Sequence, residues 1–289
     1  MEWIRSLLFV PANRPAFLEK SARLPADAFV VDLEDSVPLQ EKEAARGMAA
    51  AHLRTAGPRN CWVRVNESLA SAEVAALTGL PRLAGFVLPK TESANEIQSI
   101  ADAIAEAERR AGAPVGDTKL MLTLETAKGI ILAYSLLQAS PRIANAIFAG
   151  ARDGDLMRDL GCEWSSHGPE LMHARQSALL AMRAAGVLYP LDGVYTDLRD
   201  AQGFEKDSVL SARLGYRGRT VIHPDQIAAA NRLYAPAAEA VARYRRLLAA
   251  FEPAQAQGSA AIEFEGRMID EAMARNARRI VAAAEMFEK

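Results

Sequence analysis

The sequence has few cysteines, no long apolar run and no excess charge of one sign. Its two cysteines among 289 residues, Cys61 and Cys162, have no CxxC spacing, so we expect reduced thiols in a cytoplasmic protein rather than a disulfide framework. The 34 basic and 36 acidic residues nearly cancel, which argues against binding of nucleic acid or of a membrane surface. The longest apolar run, around Ile130–Leu137, is shorter than the ~20 residues that span a bilayer.

Eight short β-rich runs are present, and seven of them are separated from the next by a helical pattern. They are Arg5–Val10, Ala28–Leu33, Cys61–Val65, Gly85–Leu88, Leu120–Leu124, Ala146–Ala149, Leu191–Tyr195 and Arg219–Ile222. Strands that alternate with helices predict a parallel sheet, and eight such units predict a (β/α)8 TIM barrel, typically of ~250 residues. A doubly wound open sheet is the competing architecture, but no GxGxxG follows the first run.

The last part of the chain exceeds what eight such units need. We expect the barrel to occupy residues 1–252 and a C-terminal linker and helix to occupy residues 253–289, with Ala254–Ser259 as the linker and Met268–Phe287 as the helix. Apolar residues recur in this helix at helical spacing: Ile269, Met273, Ala277, Ile280, Ala284 and Phe287. A surplus amphipathic helix must bury its stripe, and we expect it to pack on a neighbouring subunit.

Two of the β-rich runs end abruptly in acidic residues. Leu120–Leu124 is followed by Glu125, and Ala146–Ala149 by a segment that contains Asp153 and Asp155. Because neighbouring parallel strands would bring these ends together, the acids can share a hard cation, and Mg²⁺ is commonly bound by one or two carboxylates. The alternative is that the acids cap helices, since they are favoured at helix N-termini. Zinc is not expected, because the histidines show no HExxH or paired spacing.

Arg64 lies among apolar residues in a run that should be buried. An unpaired buried guanidinium is costly. We therefore expect Arg64 to pair with Glu34 and Asp35, with an anionic substrate, or with both.

Three other cations are candidates for substrate contact. Lys90 follows Pro89 at a strand end, where it can contact substrate or form a Schiff base, although the acid pair would make a Schiff base redundant. Arg14 and Lys20, near the first predicted helix, are placed to meet a phosphate group, unless they contact only water.

Seven motifs are spread along the chain: RSLLFVPANRP from Arg5, VVDLEDSV (Val30–Val37), EKEAAR (Glu41–Arg46), VRVN (Val63–Asn66), LPKTES (Leu88–Ser93), LETAKGI (Leu124–Ile130) and GRTVIHPDQI (Gly218–Ile227). With these motifs the chain resembles the citrate lyase β-subunit-like branch of the HpcH/HpaI aldolase superfamily. They run in family order over nearly the whole chain. The resemblance implies a TIM barrel, usually trimeric or hexameric, that holds Mg²⁺ with a glutamate and an aspartate.

The resemblance also implies roles for individual residues. The family glutamate matches Glu125. The aspartate lies in a G-x-x-D-[LYF] segment, where counting forward from Gly150 gives Asp153 and counting back from the downstream motif gives Asp155, which we favour. The family arginine at the substrate carbonyl matches Arg64. In several relatives an aspartate reaches the next subunit's site as acid/base, and the matching residue is Asp270.

The resulting hypothesis is a Mg²⁺-dependent carbon–carbon lyase or condensing enzyme for a 2-hydroxy-acyl-CoA thioester of the citryl-, malyl- or citramalyl-CoA type. Cleavage would leave an enolate whose charge Arg64 stabilises, while Glu34 and Asp35 orient Arg64 and metal-bound waters. Two alternatives remain at this point. One is an aldolase for free 2-oxo acids, and the other is a subunit that acts only with an acyl-carrier protein.

Overall fold

The chain divides into two compact units, Met1–Leu233 and Tyr234–Lys289. The computed structural model describes residues 3–165, 168–285 and 287. The expected boundary after residue 252 instead falls inside a helix, Ala238–Ala256, which continues through Pro253. The outer ends of the two expected ranges, residues 1–2 and 288–289, lie outside the described residues.

In the first unit, eight parallel strands of the described residues close a barrel in chain order. They are β1 (Ser6–Pro11), β2 (Ala28–Asp32), β3 (Cys61–Arg64), β4 (Leu83–Leu88), β5 (Lys119–Leu124), β6 (Ile143–Phe148), β7 (Leu191–Asp192) and β8 (Gly218–Val221). This arrangement confirms the predicted TIM barrel and excludes the open sheet, because β8 pairs with β1.

Helices connect the strands as the sequence pattern predicts. They are α1 (Pro15–Ser21), α2 (Lys42–Leu53), α3 (Ala70–Leu77), α4 (Ala94–Ala111), α5 (Ala127–Ile131), α6 (Ala133–Leu137), α7 (Asp155–Leu160), α8 (Pro169–Ala184), α9 (Ala201–Leu214) and α10 (Asp225–Tyr234). The segment of helix length between β5 and β6 is divided into α5 and α6, because the backbone at Leu132 (φ −90°, ψ 0°) departs from regular helical geometry.

Apolar side chains fill the interior of the barrel. Seven consecutive strands contribute to one buried cluster, which contains Ile4, Leu7, Ala28, Val30, Trp62, Val87, Met121, Ile147 and Leu191. Because side chains alternate across a strand, the next residues along each strand face the surrounding helices. The interior is thus a packed core, and polar chemistry is confined to the barrel's ends.

β7 is only two residues long, whereas the sequence pattern predicts a strand to Tyr195. The prediction is wrong beyond Asp192. There the amide of Gly193 donates to Asp192 Oδ1 at 2.9 Å, and a Cβ at Gly193 would lie 2.7 Å from the Phe148 carbonyl oxygen. The Gly193 amide thus bonds to a side chain instead of a neighbouring strand, and regular pairing ends at Asp192 although the backbone still lies close to β6.

A buried ion-pair network lies beside this short strand. Arg175 of α8 contacts Asp192 through Nε at 3.0 Å and Asp207 of α9 at 2.8 Å. Arg219 of β8 reaches the same Asp207 at 3.1 Å and donates to Ser208 at 2.6 Å. Burial alone would raise the pKa of Asp207, but the two arginines lower it below its ordinary value. Side chains thus connect β7, β8, α8 and α9 where the strand ladder is shortest.

The second unit contains two long helices and a hairpin. Its elements after α10 are α11 (Ala238–Ala256), β9 (Ala261–Phe264), β10 (Arg267–Asp270) and α12 (Glu271–Glu285), and the two strands are antiparallel. The predicted linker Ala254–Ser259 is therefore partly helical. The predicted final helix begins three residues late, at Glu271, because Met268–Asp270 pair with β9 instead.

Part of the apolar stripe of α12 is buried within its own unit. Ala274 and Ala277 of α12, together with Ile269 of β10, pack with Leu247 and Phe251 of α11. Met268 and Met273 stay exposed, at 70% and 47%. That a neighbouring subunit covers them remains a prediction.

Among the described residues, no helix is long and apolar enough to cross a lipid bilayer.

Barrel closure predicts a strict need for glycine at position 218. A Cβ there would lie 1.9 Å from the Ile4 carbonyl oxygen, at the seam between β8 and β1. We expect Gly218→Ala to lower the free energy of unfolding by about 1–3 kcal/mol, the usual effect of overpacking. Urea denaturation of the purified variant measures this change.

The matched control is Gly47→Ala in α2, where a new Cβ meets nothing within 4 Å. We expect this substitution to stabilise the protein by up to about 1 kcal/mol, because alanine is the better helix former. Equal unfolding midpoints for the two variants would contradict the packing argument.

Candidate active site

Arg64 ends β3 and is held by an acid on the neighbouring strand. Register pairs it with Asp32, the last residue of β2. Arg64 Nε and Nη2 donate to the two Asp32 carboxylate oxygens, each at 2.7 Å. Burial alone would raise the pKa of Asp32, but the hydrogen bonds and charge of Arg64 lower it below its ordinary value, so the pair is ionised. The Phe9 ring centroid lies 5.1 Å from the guanidinium carbon.

Glu34 connects this pair to a second cation. Its Oε2 lies 2.9 Å from Arg64 Nη1, and its Oε1 lies 3.0 Å from Lys90 Nζ. Asp35 is more distant, at 3.8 Å from Arg64 and 3.9 Å from Lys90, and its side chain is 60% exposed. The structure therefore brings both acids to Arg64 as the sequence predicts, with Glu34 in the closer contact.

Lys90 follows β4 in an unusual backbone conformation. Its φ is +46°, in the left-handed region that few residues other than glycine adopt. Burial alone would lower the pKa of Lys90, but the hydrogen bond to Glu34 and the charges of Glu34, Asp35 and Asp155 raise it above its ordinary value. A Schiff-base lysine must be neutral to attack a carbonyl, so this environment argues against that alternative.

Glu125 follows β5 and is buried, with 7% of its surface exposed. The backbone amide of Lys90 donates to its Oε1 at 2.7 Å. Burial raises the pKa of Glu125 to about 7, against the lowering effects of that amide and of Arg64, and the charges of Glu34 and Asp155 raise it further. Glu125 is thus a buried carboxyl group beside other acids, at the expected edge of the barrel.

Of the two aspartates in the following loop, the structure brings Asp155 to this group. Asp155 begins α7, its side chain is 21% exposed, and its Oδ2 lies 3.6 Å from Lys90 Nζ. Its other oxygen pairs with Arg158. Asp153 adopts φ +60°, its side chain is 86% exposed, and it pairs with its neighbour Arg152. The geometry therefore favours Asp155 as the second acid.

The remaining predicted residues are Arg14, Lys20 and Asp270. Arg14 directly precedes α1, after β1, and is exposed. Lys20 lies in the last turn of α1 and is also exposed. Asp270 belongs to the second unit, where it ends β10 and accepts the Met273 amide at 3.0 Å. Their predicted roles in binding or catalysis remain predictions.

Glu125 and Asp155 are a donor set that suits Mg²⁺. Among the described residues, no three acidic, histidine or cysteine side chains converge on one metal position. The chain thus offers two carboxylates and leaves other positions to substrate and water, as is common for Mg²⁺. Mutual repulsion contributes to the raised pKa of Glu125, and a divalent cation would relieve it. The residues therefore fit this metal.

Asp32 is the site residue that sequence reasoning missed. The expected partners of Arg64 were the acids after the strand, whereas the bidentate partner is the acid that ends it. The signal was present, because Asp32 is a charged residue within the apolar run Ala28–Leu33. A second charged residue in an adjacent buried strand is the natural partner of a buried arginine.

A closed parallel barrel with paired carboxylates and an anchored arginine at its carboxyl edge defines a metal-dependent TIM-barrel enzyme. The chain belongs to the HpcH/HpaI aldolase/citrate lyase family, whose sequence profile matches residues 5–224.

Curated relatives match over nearly their whole length. The citrate lyase subunit beta of Escherichia coli K12 is 36% identical over 286 residues, which cover 98% of this chain and 93% of the relative. The L-malyl-CoA/β-methylmalyl-CoA lyase of Rhodobacter capsulatus is 33% identical over 306 residues, with 98% and 95% covered.

A solved structure is similar as well. The CitE protein of Mycobacterium tuberculosis, in complex with magnesium, acetoacetate and coenzyme A, superposes with a TM-score of 0.74 at 28% identity and covers 97% of each chain. These comparisons confirm the family resemblance, and the enzyme is a lyase of this family.

The raised pKa of Glu125 predicts that Mg²⁺ binding depends on pH. The carboxylate must be ionised to bind the cation, and its pKa is about 7. Below pH 7 a proton competes with the metal, so we expect Mg²⁺ affinity to fall about tenfold for each further pH unit. Calorimetric titrations at pH 6, 7 and 8, with circular dichroism to verify the fold, measure this dependence. Equal affinities at pH 6 and pH 8 would show that Glu125 does not bind the cation.

Proposed function

We propose that this enzyme is a Mg²⁺-dependent carbon–carbon lyase, or condensing enzyme, for a 2-hydroxy-acyl-CoA thioester of the citryl-, malyl- or citramalyl-CoA type. The observation that carries the proposal is the cluster of Glu125, Asp155 and Arg64 at the carboxyl edge of the barrel. Family membership and the thioester substrates named for curated relatives support it. The similar CitE structure contains magnesium and coenzyme A, which supports the same cofactor and substrate class here.

Glu125 and Asp155 would hold the cation. When bound, Mg²⁺ supplies Lewis acidity and a template for the carboxylate and adjacent oxygen of the substrate. Glu34 and Asp35, which share the Lys90 ammonium with Asp155, would order water around this position.

Arg64 stabilises the charge that develops during cleavage. The bond between the hydroxyl-bearing carbon and the α-carbon of the thioester breaks, the hydroxyl loses its proton and becomes a carbonyl, and the electron pair forms a thioester enolate. Asp32 and Glu34 already fix the guanidinium, so little reorganisation is needed when the enolate forms. Preorganised charge of this kind is usually a large catalytic contribution.

Asp270 is the proposed acid/base residue, acting in the site of a neighbouring copy. In the cleavage direction its carboxylate would take the hydroxyl proton of the substrate and then give a proton to the enolate carbon, and in the condensing direction the two transfers would run in reverse. This role requires a homo-oligomer, which we propose to be a trimer or a hexamer acting in the cytoplasm. The exposed Met268 and Met273 flank Asp270 and would be covered in that assembly.

The coenzyme A arm would approach over α1. Arg14, directly before α1, and Lys20, in its last turn, are exposed cations that can pair with phosphate groups. Lys90 is already surrounded by acids, so we assign it no phosphate contact.

The first test is Glu125→Gln, which keeps an oxygen for the Lys90 amide but removes the charge. We expect turnover of malyl-, citramalyl- and citryl-CoA to fall at least ~100-fold, because the cation loses a charged ligand. Asp153→Asn is the matched control and should keep near wild-type turnover. Full activity of Glu125→Gln would overturn the metal site.

The substrate screen separates the alternatives. Turnover of free 2-oxo acids without coenzyme A would identify a pyruvate-releasing aldolase. Turnover only with an acyl-carrier protein would identify a subunit of a citrate-lyase-like complex.

Shared sites predict complementation between two inactive variants. Homo-oligomers of Glu125→Gln and of Asp270→Asn should each be inactive. After mixing with reversible dissociation, some sites combine an intact Glu125 with an intact Asp270 from the neighbouring copy, so we expect activity to return. A mixture that stays inactive, although native mass spectrometry shows hybrid oligomers, would place Asp270 in its own subunit's site or outside the chemistry.

A further inference from the structure

Among the described residues, Lys90 alone contacts both acids of the proposed metal pair. Its backbone amide donates to Glu125 Oε1 at 2.7 Å, and its ammonium lies 3.6 Å from Asp155 Oδ2. The two acids belong to different elements, the end of β5 and the start of α7. The residue that makes both contacts has a left-handed backbone, with φ +46°. A strained conformation at such a position calls for a functional reason.

The acids around the site divide between two cations, Arg64 and Lys90. Asp32 and Glu34 are the close partners of Arg64. Asp35 and Asp155, together with the second oxygen of Glu34, surround Lys90 Nζ. The ammonium thus neutralises the same acids that would surround a bound cation. Arg158 also reaches Asp155, but its side chain is 71% exposed and solvent screens its charge.

We propose that Lys90 is the internal counter-ion of the metal site: its ammonium holds Asp155 when the cation is absent and releases Asp155 when Mg²⁺ binds. This inference rests on the proposed function, since it takes Glu125 and Asp155 as the metal ligands. Glu34, at 3.0 Å, and Asp35, at 3.9 Å, are already partners of the ammonium and would remain so after release. The exchange therefore needs no backbone movement at Lys90.

Two opposite effects follow from this role. The ammonium stabilises the metal-free protein, because without it Glu34, Asp35 and Asp155 would repel one another. It also weakens Mg²⁺ binding, because the cation must displace it from Asp155 and then tolerates a positive neighbour. A lysine that pairs with neither Glu34 nor Asp155 would produce neither effect.

The test is Mg²⁺ titration of Lys90→Met without substrate, followed by calorimetry and by thermal unfolding. We expect the metal-free variant to melt at a lower temperature and to bind Mg²⁺ at least about fivefold more tightly, the change for one unit charge a few ångströms away even in water. Lys90→Arg keeps the charge and should bind Mg²⁺ close to wild type. Unchanged or weaker Mg²⁺ binding by Lys90→Met would overturn the proposal.

Lys128→Met is the matched control. This lysine lies in α5, is 63% exposed and pairs with Glu92 at 3.2 Å, away from the proposed ligands. Its removal should leave Mg²⁺ affinity unchanged. Glu125→Gln separates the two proposals. If this variant still binds Mg²⁺, the metal site itself is wrong. If it loses Mg²⁺ binding while Lys90→Met binds Mg²⁺ with wild-type affinity, only the proposed role of Lys90 is wrong.

A measurement on the wild-type chain avoids any folding defect of the variant. Acetylation by an amine-reactive reagent, followed by mass spectrometry, reports how tightly each ammonium is paired. We expect Mg²⁺ to increase the acetylation rate of Lys90, which loses Asp155, and to leave that of Lys128 unchanged. A Lys90 rate that Mg²⁺ lowers or does not change would contradict the exchange.

Discussion

The site depends on the bidentate pair between Asp32 and Arg64. The two residues end adjacent strands in register, so the sheet itself sets the plane of the guanidinium. From there the contacts run in series, because Arg64 holds Glu34, Glu34 holds Lys90, and Lys90 contacts both Glu125 and Asp155. Loss of one member of a buried pair is strongly destabilising, at about 3–5 kcal/mol. Such a loss at Asp32 would therefore disturb the position of every later member of the series.

The barrel explains why so many charges can be close together. Its interior is apolar, and the polar residues follow the carboxyl ends of β2 to β6, where short loops and helix starts supply amide donors. Burial and mutual repulsion destabilise the ionised form of Glu125 when no cation is bound, and its pKa is raised for this reason. A bound cation would therefore offset the repulsion among the acids at this edge of the barrel.

The fold class was predictable because the eight barrel strands and the helices between them differ in hydrophobic period, and because polar residues follow the strands. The site was predictable as far as single strand ends allow, which covers Glu125, Arg64 and the acids after β2. Asp32 and the counter-ion position of Lys90 were not, because they depend on strand register and on a left-handed backbone that no local pattern encodes. The β9–β10 hairpin was missed since its residues also fit a helical stripe. The strand β7 was predicted too long because its end depends on the bond of the Gly193 amide to the Asp192 side chain and on the close approach of Gly193 to Phe148, which no local pattern encodes.

The buried network of Arg175, Asp192, Asp207 and Arg219 divides the barrel wall into two kinds of construction. From β1 to β6 the wall is joined mainly by backbone hydrogen bonds, and this sector carries the reactive groups. Beside β7 it is joined by side-chain charges, which carry no part of the proposed chemistry. The residues that carry the proposed chemistry and those that form the charged network thus lie in different arcs of the barrel: β1 to β6 form the catalytic arc, and β7 and β8 form the charged arc. Because Arg175 and Arg219 share Asp207, substitutions within the charged arc should have coupled effects, while the geometry of the catalytic arc depends on other contacts.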